Sequence, residues 1–144
     1  ALCEEAIAYA VKYLTDRDAE MRENAIDAEK KIDRKEREIE SHCMKLLMHQ
    51  QPVATDFRLI ASALKMISDM ERIGDQAEDI AEISEYVHLS DLSSRVHITD
   101  MAEAVIHMVN NSIDSFVKKD LIGDHAENIA EWVIYSITGK HKTT

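Results

Sequence analysis

The stretch His49–Glu82 reads HQQPVATDFRLIASALKMISDMERIGDQAEDIAE, and the rest of the chain is best interpreted outward from it. It contains the only proline of the chain, Pro52, which ends the preceding helical pattern and is tolerated in the first turn of the next helix. We therefore predict a helix that begins near Val53. A seam at alternating steps of three and four follows: Phe57, Ile60, Leu64, Ile67, Glu71, Gly74, Glu78 and Ala81.

The second half of this helix combines small residues with carboxylates. Gly74, Ala77 and Ala81 replace the large apolar residues of the first half. Three acidic residues also follow one another at intervals of four: Glu71, Asp75 and Asp79. Residues four apart lie about 6 Å from each other on one helix face, so these like charges repel unless a cation lies among them. The cation is either a Lys or Arg side chain on a solvated acidic face or a bound metal ion.

The helix that comes before this one in the chain is predicted from about Ala19 to His49. It forms a long antiparallel hairpin with the helix that begins near Val53. This arrangement brings the region of Asp33 to Glu40 alongside the region of Glu71 to Asp79. Asp33 and Glu36 are the candidate ligands from this second helix, because bundle metalloproteins draw carboxylates from facing helices. The alternative is that Arg34, Lys65 and Arg72 pair with the acidic face, each pair contributing less than about 1 kcal/mol.

Composition favours an all-α protein that does not bind nucleic acid. Hydrophobic residues make up 45% and aromatic residues 5% of 144 residues, with three glycines and one proline. The net charge of −11 repels phosphate backbones.

Cys3 and Cys43 lack CxxC spacing and are predicted to be reduced core residues, which fits a cytoplasmic protein. The methionines are at helical spacings, and core filling explains them more simply than a peptide-binding groove.

The sequence contains no motif that indicates catalysis. It has no GxSxG, no Walker motif and no GxGxxG after a strand. The seven histidines form no HxxxH pair, and no run of 18 apolar residues is present. We therefore predict a non-enzymatic protein without a membrane span.

The ends of the chain and the connection after the third helix are also informative. Residues 1–15 follow the pattern of a helix already in progress, so the natural chain is expected to begin earlier. Thr15, Asp16 or Asp18 is the candidate cap of the next helix. Residues 88–99 are rich in Ser and Thr and predict a surface connection, followed by a helix from about Asp100.

An internal repeat relates the two halves of the chain. Leu14–Asp18 matches Phe116–Asp120 at an offset of 102, whereas IGDQAEDIAE from Ile73 matches IGDHAENIAE from Ile122 at an offset of 49. The difference of 53 predicts that a second helix and the front of a third are missing between Asp120 and Leu121. The intact mass tests this prediction, since 16.4 kDa would contradict it and a larger mass would support it.

The motifs QQPVATDFRL, ERIGDQAEDIAE and IGDHAENIAE, in a tandem three-helix arrangement, resemble the PhoU family of regulators of phosphate-specific transport. This resemblance implies two tandem three-helix bundles, one in residues 1–90 and an incompletely represented one in residues 91–144. It also implies E(D)xxxD motifs that bind iron, zinc or nickel. Carried over, those motifs are Glu71 to Asp75 and Asp75 to Asp79, while only Asp124 matches in the second repeat. The candidate metal ligands are Glu71, Asp75, Asp79, Asp124, Asp33 and Glu36.

The function that the resemblance implies is regulatory. A member of this family would be a negative regulator in the cytoplasm, linking the phosphate ABC transporter ATPase to a phosphate-sensing histidine kinase. It would be peripheral to the membrane through these partners only, and a homodimer is an open possibility. The alternative is a carboxylate-bridged bundle that binds or stores metal, although such centres draw an ExxH pair from each of two helices and the sequence does not contain two such pairs.

Overall fold

The computed structural model describes residues 2–49, 54–90 and 92–120, and these form four helices with no strand among them. Helix α1 comprises Leu2–Asp16, α2 Ala19–His49, α3 Ala54–Ile83 and α4 Leu92–Asp120. At 1.5 Å per residue, α2 and α3 are each about 45 Å long and α1 about 22 Å. The predicted all-α class is confirmed. Among the described helices, none is long and apolar enough to cross a membrane.

A two-residue connection joins α1 to α2. The Arg17 N–H donates to the Tyr13 carbonyl at 3.0 Å, and Arg17 has a φ of 61°, in the left-handed region that often ends a helix. Asp18 is the cap of α2, because its Oδ1 accepts from the Glu20 N–H at 3.0 Å. Of the three predicted candidates for this cap, Asp18 is therefore the one used.

The core between α2 and α3 has two parts with different side chains. The first part, near the α2–α3 connection, contains Ile39, Cys43, Ile60 and Ile67. The second part also includes α1 and is built mostly from small residues: Cys3, Ala6, Ala10, Ala25, Ala28, Ile32, Ala77 and Ala81. Because α1 is half as long as its neighbours, only the second part is a true three-helix bundle.

The predicted seam of α3 is correct at four of its positions and wrong at Phe57. Ile60, Ile67 and Ala81 are buried, as is Gly74. Phe57 is 56% exposed and lies in the first turn of α3. Leu59 and Ala63 are buried on this part of the helix instead.

The connection between α3 and α4 is shorter than the sequence suggested. Helix α3 ends at Ile83, and α4 begins at Leu92, eight residues before the predicted Asp100. The Ser84 hydroxyl donates to the Ile80 carbonyl, and Arg17 donates to the Ser84 carbonyl, so this turn is held by side chains. Three of the four Ser and Thr residues that suggested a loop, Ser93, Ser94 and Thr99, lie inside α4. The Thr99 hydroxyl donates to the Arg95 carbonyl.

Two predictions about sulfur-containing residues have opposite outcomes. Cys3 and Cys43 are free and buried, as expected, and burial raises the pKa of the Cys3 thiol to about 11. Core filling by methionine is wrong at four positions. Exposed fractions range from 49% to 77% at Met44, Met48, Met101 and Met108.

Candidate functional site

A strip of carboxylates runs along the line where α2 and α3 meet at the three-helix end. Its members on α2 are Glu29, Asp33 and Glu36, and its members on α3 are Glu71, Asp75 and Glu78. The antiparallel hairpin of α2 and α3 produces this strip, because residues spaced by three or four on each helix share a face. Ile32 and Gly74, between these carboxylates, bring the two backbones together. A Cβ at position 74 would lie 3.0 Å from Ile32 Cδ1.

The carboxylates of this strip act on one another electrostatically across the two helices. Loss of hydration raises the pKa of Glu71, and repulsion from Asp75, Glu36 and Asp33 raises it further. The pKa of Glu36 is raised by desolvation and then by repulsion that includes Asp33 and Asp75. The predicted alignment of the Asp33 region with the Glu71 region is therefore present in the structure.

Two carboxylates belong to this strip that the sequence analysis did not propose as site residues. The pKa of Glu29 is raised by desolvation and then by Glu78, Asp33 and Asp75. The pKa of Glu78 is raised by desolvation and then by Glu82 and Asp75. Spacing could have revealed both, since Glu29 lies four residues before Asp33 and Glu78 three residues after Asp75.

Cations neutralise part of the strip. Arg37 Nη2 lies 2.9 Å from Asp33 Oδ2, one helical turn away on the same helix. Lys65, a predicted partner of the acidic face, instead pairs with Asp69 at 2.5 Å. The basic side chain is 72% exposed in both ion pairs, so each pair contributes less than about 1 kcal/mol to stability.

The predicted metal ligands are only partly brought together. Asp33, Glu36, Glu71 and Asp75 form one neighbourhood, whereas Asp79 is exposed and raises the pKa of Glu78 on its own helix. Asp124 lies outside the described residues. Within residues 2–49, 54–90 and 92–120, no group of three His, Cys, Asp or Glu side chains has an arrangement that could hold a metal ion. Metal binding by these residues stays a prediction.

A second feature, which the sequence did not reveal, is an apolar groove of about 660 Å³ between α3 and α4. Met66, Met70 and Ile73 line it from α3, and Met108, Val109 and Ile113 line it from α4. The ion pair between Lys65 and Asp69 lies at its edge.

Comparison with known proteins identifies what this architecture is similar to. A family model described as the PhoU domain matches residues 1–84. The phosphate-specific transport system accessory protein PhoU homolog of Aquifex aeolicus is 38% identical over 124 residues, covering 84% of this chain and 55% of the relative. The homolog of Pseudomonas putida is 32% identical, covering 91% of this chain and 51% of the relative. The chain thus spans about half the length of these curated relatives.

A solved structure has the same arrangement of helices. The crystal structure of PhoU from Pseudomonas aeruginosa matches with a TM-score of 0.68 and 26% sequence identity. The match covers 96% of this chain and 91% of that chain.

Proposed function

We propose that this chain, which belongs to the PhoU family, restrains phosphate uptake and the phosphate-starvation response as an adaptor. Its partners would be the ATPase of the phosphate ABC transporter and the phosphate-sensing histidine kinase, reached in the cytoplasm. The observation that carries the proposal is the match to the family model over residues 1–84, which include all of α1, α2 and α3. The relatives are named accessory proteins of phosphate-specific transport, which agrees with a regulatory role.

The surface of the first bundle suits an adaptor. Helices α2 and α3 are long, pack against each other and present a rigid edge of about 45 Å. The carboxylate strip follows this edge at the three-helix end. An acidic face of this kind steers and orients a partner that carries a basic patch. Because Glu36 and Glu71 already repel their neighbours, a cationic side chain from a partner would relieve that repulsion.

A binding experiment tests the adaptor role. The variant Glu36→Gln, Glu71→Gln, Asp75→Asn removes three charges from the strip and keeps the shapes of the side chains. The control Asp100→Asn, Glu103→Gln, Asp114→Asn removes three charges from exposed positions of α4. We expect weaker binding to the ATPase or the kinase, and a weaker dependence on salt, for the strip variant only.

Two results of this experiment would count against the proposal. The adaptor role fails if neither the ATPase nor the kinase binds the unaltered chain. If both variants bind equally well, the family role survives but the strip is not the binding surface.

The second candidate function is a metal-binding or metal-storage bundle. Its basis is that Glu71, Asp75 and Glu36 repel one another and that carboxylate oxygens suit a hard or borderline cation such as iron or zinc. Among the described residues these side chains are not arranged as a metal site, so a cation would have to draw them together. Elemental analysis of purified protein, compared between Asp75→Ala and the control Asp100→Ala, tests it. Equal metal content in the two variants would contradict a site at Asp75, whereas iron oxidation without partner binding would favour storage over the adaptor.

A further inference from the structure

One arginine links the turn between α1 and α2 to the connection between α3 and α4. The Arg17 guanidinium donates to the Ser84 carbonyl, and its Nη2 lies 2.6 Å from His88 Nδ1. Arg17 belongs to the two-residue turn after α1, whereas Ser84 and His88 follow the end of α3. These three residues form the junction. They bring together two turns that lie 67 to 71 residues apart in the chain.

The backbone at Arg17 indicates that its side chain is needed at this position. Its φ of 61° lies in the left-handed region, which glycine adopts readily and which a residue with a Cβ disfavours. Among the described residues other than glycine, Arg17 is the only one with a positive φ. The Tyr13 ring centroid lies 5.6 Å from the guanidinium carbon, which supports the guanidinium by a cation–π contact. An unfavourable backbone conformation is thus retained where the side chain holds several partners.

The contact with Arg17 requires a neutral His88. A guanidinium has only N–H donors and stays protonated in proteins, so His88 Nδ1 accepts and carries no proton. When the imidazole gains a second proton, both ring nitrogens become donors and the ring becomes positive. Repulsion between two cations then replaces the hydrogen bond. Histidine is the side chain that ordinarily gains this proton between pH 8 and 5, and His88 is exposed to solvent.

The charged groups on α2 and α4 beside His88 do not offer it a new ion pair. Arg95 of α4 donates to the Leu89 carbonyl at 3.2 Å, which places a second arginine beside the residue that follows His88. Glu85, three residues before His88, already pairs with α2, since Arg22 Nε lies 2.9 Å from Glu85 Oε1. A protonated His88 therefore adds positive charge to a place that already holds several guanidinium groups.

The acidic neighbours of Arg17 favour its release in the same way. Asp16 is exposed at the end of α1, and Asp18 Oδ1 accepts from the Glu20 N–H at the start of α2. Both carboxylates flank Arg17 in the chain. They can therefore attract the guanidinium once it leaves His88.

We propose that the junction is a pH-sensitive switch on the connection between α3 and α4. A neutral His88 holds the Arg17 guanidinium against the end of α3, and a protonated His88 releases it. Helix α4 begins just after this connection, at Leu92, and farther along it Asn110 Nδ2 donates to Glu4 Oε2 of α1 at 3.5 Å. Release therefore loosens the start of α4 from the first three helices. This effect does not depend on which partner binds the acidic strip.

Hydrogen exchange on the purified full-length protein tests the proposal, because three amides report on the connection. The Ser84, Glu85 and Tyr86 amides donate to carbonyls in the last turn of α3. Their rates are divided by the intrinsic exchange rate at each pH. We expect exchange about three- to tenfold faster at about pH 5.5 than at about pH 8, because opening then breaks one hydrogen bond fewer.

Two variants separate the histidine from the arginine. His88→Gln keeps an acceptor and cannot be protonated in this range, so the connection should stay closed at both pH values. Arg17→Gly removes the guanidinium and suits the positive φ, so the turn between α1 and α2 persists while the connection exchanges fast at both pH values. His97→Gln removes an exposed histidine of α4 and is the matched control, which should behave like the unaltered chain.

Three results would overturn the proposal. A difference between the two pH values that persists in His88→Gln would have another cause, because the strip carboxylates and every other titratable group are still present in that variant. A difference that persists in Arg17→Gly would mean that His88 acts without its partner. Equal exchange at both pH values in the unaltered chain would show that protonation does not open the connection.

Discussion

The two ends of the α2–α3 hairpin are packed in different ways. At the end near the α2–α3 connection, Ile39, Ile60 and Ile67 fill the space between two helices. At the other end, Ala28, Ala77 and their neighbours leave room for α1 as a third helix. The size of the side chain thus determines where a third helix can dock, and the acidic strip lies at the end where the backbones are close. Substitutions that exchange the two kinds of packing test this relation.

The largest effect is expected from Ile60→Ala, at the large-residue end. Ile60 is completely buried, so its loss removes apolar contact and leaves a cavity that costs about 2–5 kcal/mol of unfolding free energy. Ile80→Ala, on the exposed side of the same helix, is the matched control and should cost less than half as much. Urea unfolding measures both. Similar costs would mean that this end is not a close-packed core.

At the small-residue end, Ala77→Leu should be the damaging change. Ala77 is 2% exposed, and extra methylene groups in a packed core cost about 1–3 kcal/mol. Ala61→Leu, at an exposed position of α3, should change the unfolding free energy by less than about 0.5 kcal/mol. The comparison between the two ends breaks down if Ala77→Leu is as well tolerated as Ala61→Leu.

Gly74→Ala should show which of two opposing effects is stronger. Alanine favours a helix by about 1 kcal/mol over glycine, but its Cβ would lie 3.0 Å from Ile32 Cδ1. Ile32 is 5% exposed and stiff, so we expect a net loss of about 1 kcal/mol. In the Ile32→Val background, which lacks Cδ1, Gly74→Ala should cost less. An equal cost in both backgrounds would show that Ile32 does not cause the loss.

The smallest effect, and one that depends on pH, is expected from Glu71→Gln. Folding raises the pKa of Glu71 above the ordinary value of 4.5. Between the unfolded and the folded pKa, Glu71 therefore keeps its proton in the folded chain and has lost it in the unfolded chain. Its contribution to stability therefore falls as pH rises above about 4.5 towards the folded pKa. Glu71→Gln should stabilise the protein at pH 7 by less than about 1 kcal/mol, since the group is partly exposed, and the gain should vanish below pH 4.5.

Glu103→Gln provides the control for this pH series. Glu103 is exposed on α4, far in sequence from the strip, so the variant measures the effect of removing one negative charge from an acidic chain. Equal pH profiles for Glu71→Gln and Glu103→Gln would show that the strip has no special repulsion.

The sequence predicted the hairpin well because its signals are local. The seam of Ile60, Ile67 and Ala81 and the spacing of Glu71 and Asp75 follow from helical geometry within one segment. The short connection between the two helices was enough to predict that Asp33 and Glu36 lie alongside Glu71. Glu29 and Glu78 were missed as members of the strip, although the same spacing marks them.

Features that depend on contacts between distant segments were not predicted. The start of α4 at Leu92 was missed because a cluster of Ser and Thr residues is typical of a loop, although Ser93, Ser94 and Thr99 lie inside the helix. The groove between α3 and α4 was missed because methionine spacing does not show whether a helix face is covered. Whether Phe57 or Leu59 faces the core depends on the helices that pack around the start of α3, which periodicity in α3 alone does not show.

Arg17 has a consequence for the order in which the chain folds. Its guanidinium donates to the Ser84 carbonyl and lies 2.6 Å from His88 Nδ1, contacts across 67 and 71 residues of chain. Contacts at such a separation carry a large loop-closure entropy, so we expect this junction to close late in folding. Loss of the Arg17 side chain should therefore speed unfolding while leaving the refolding rate nearly unchanged.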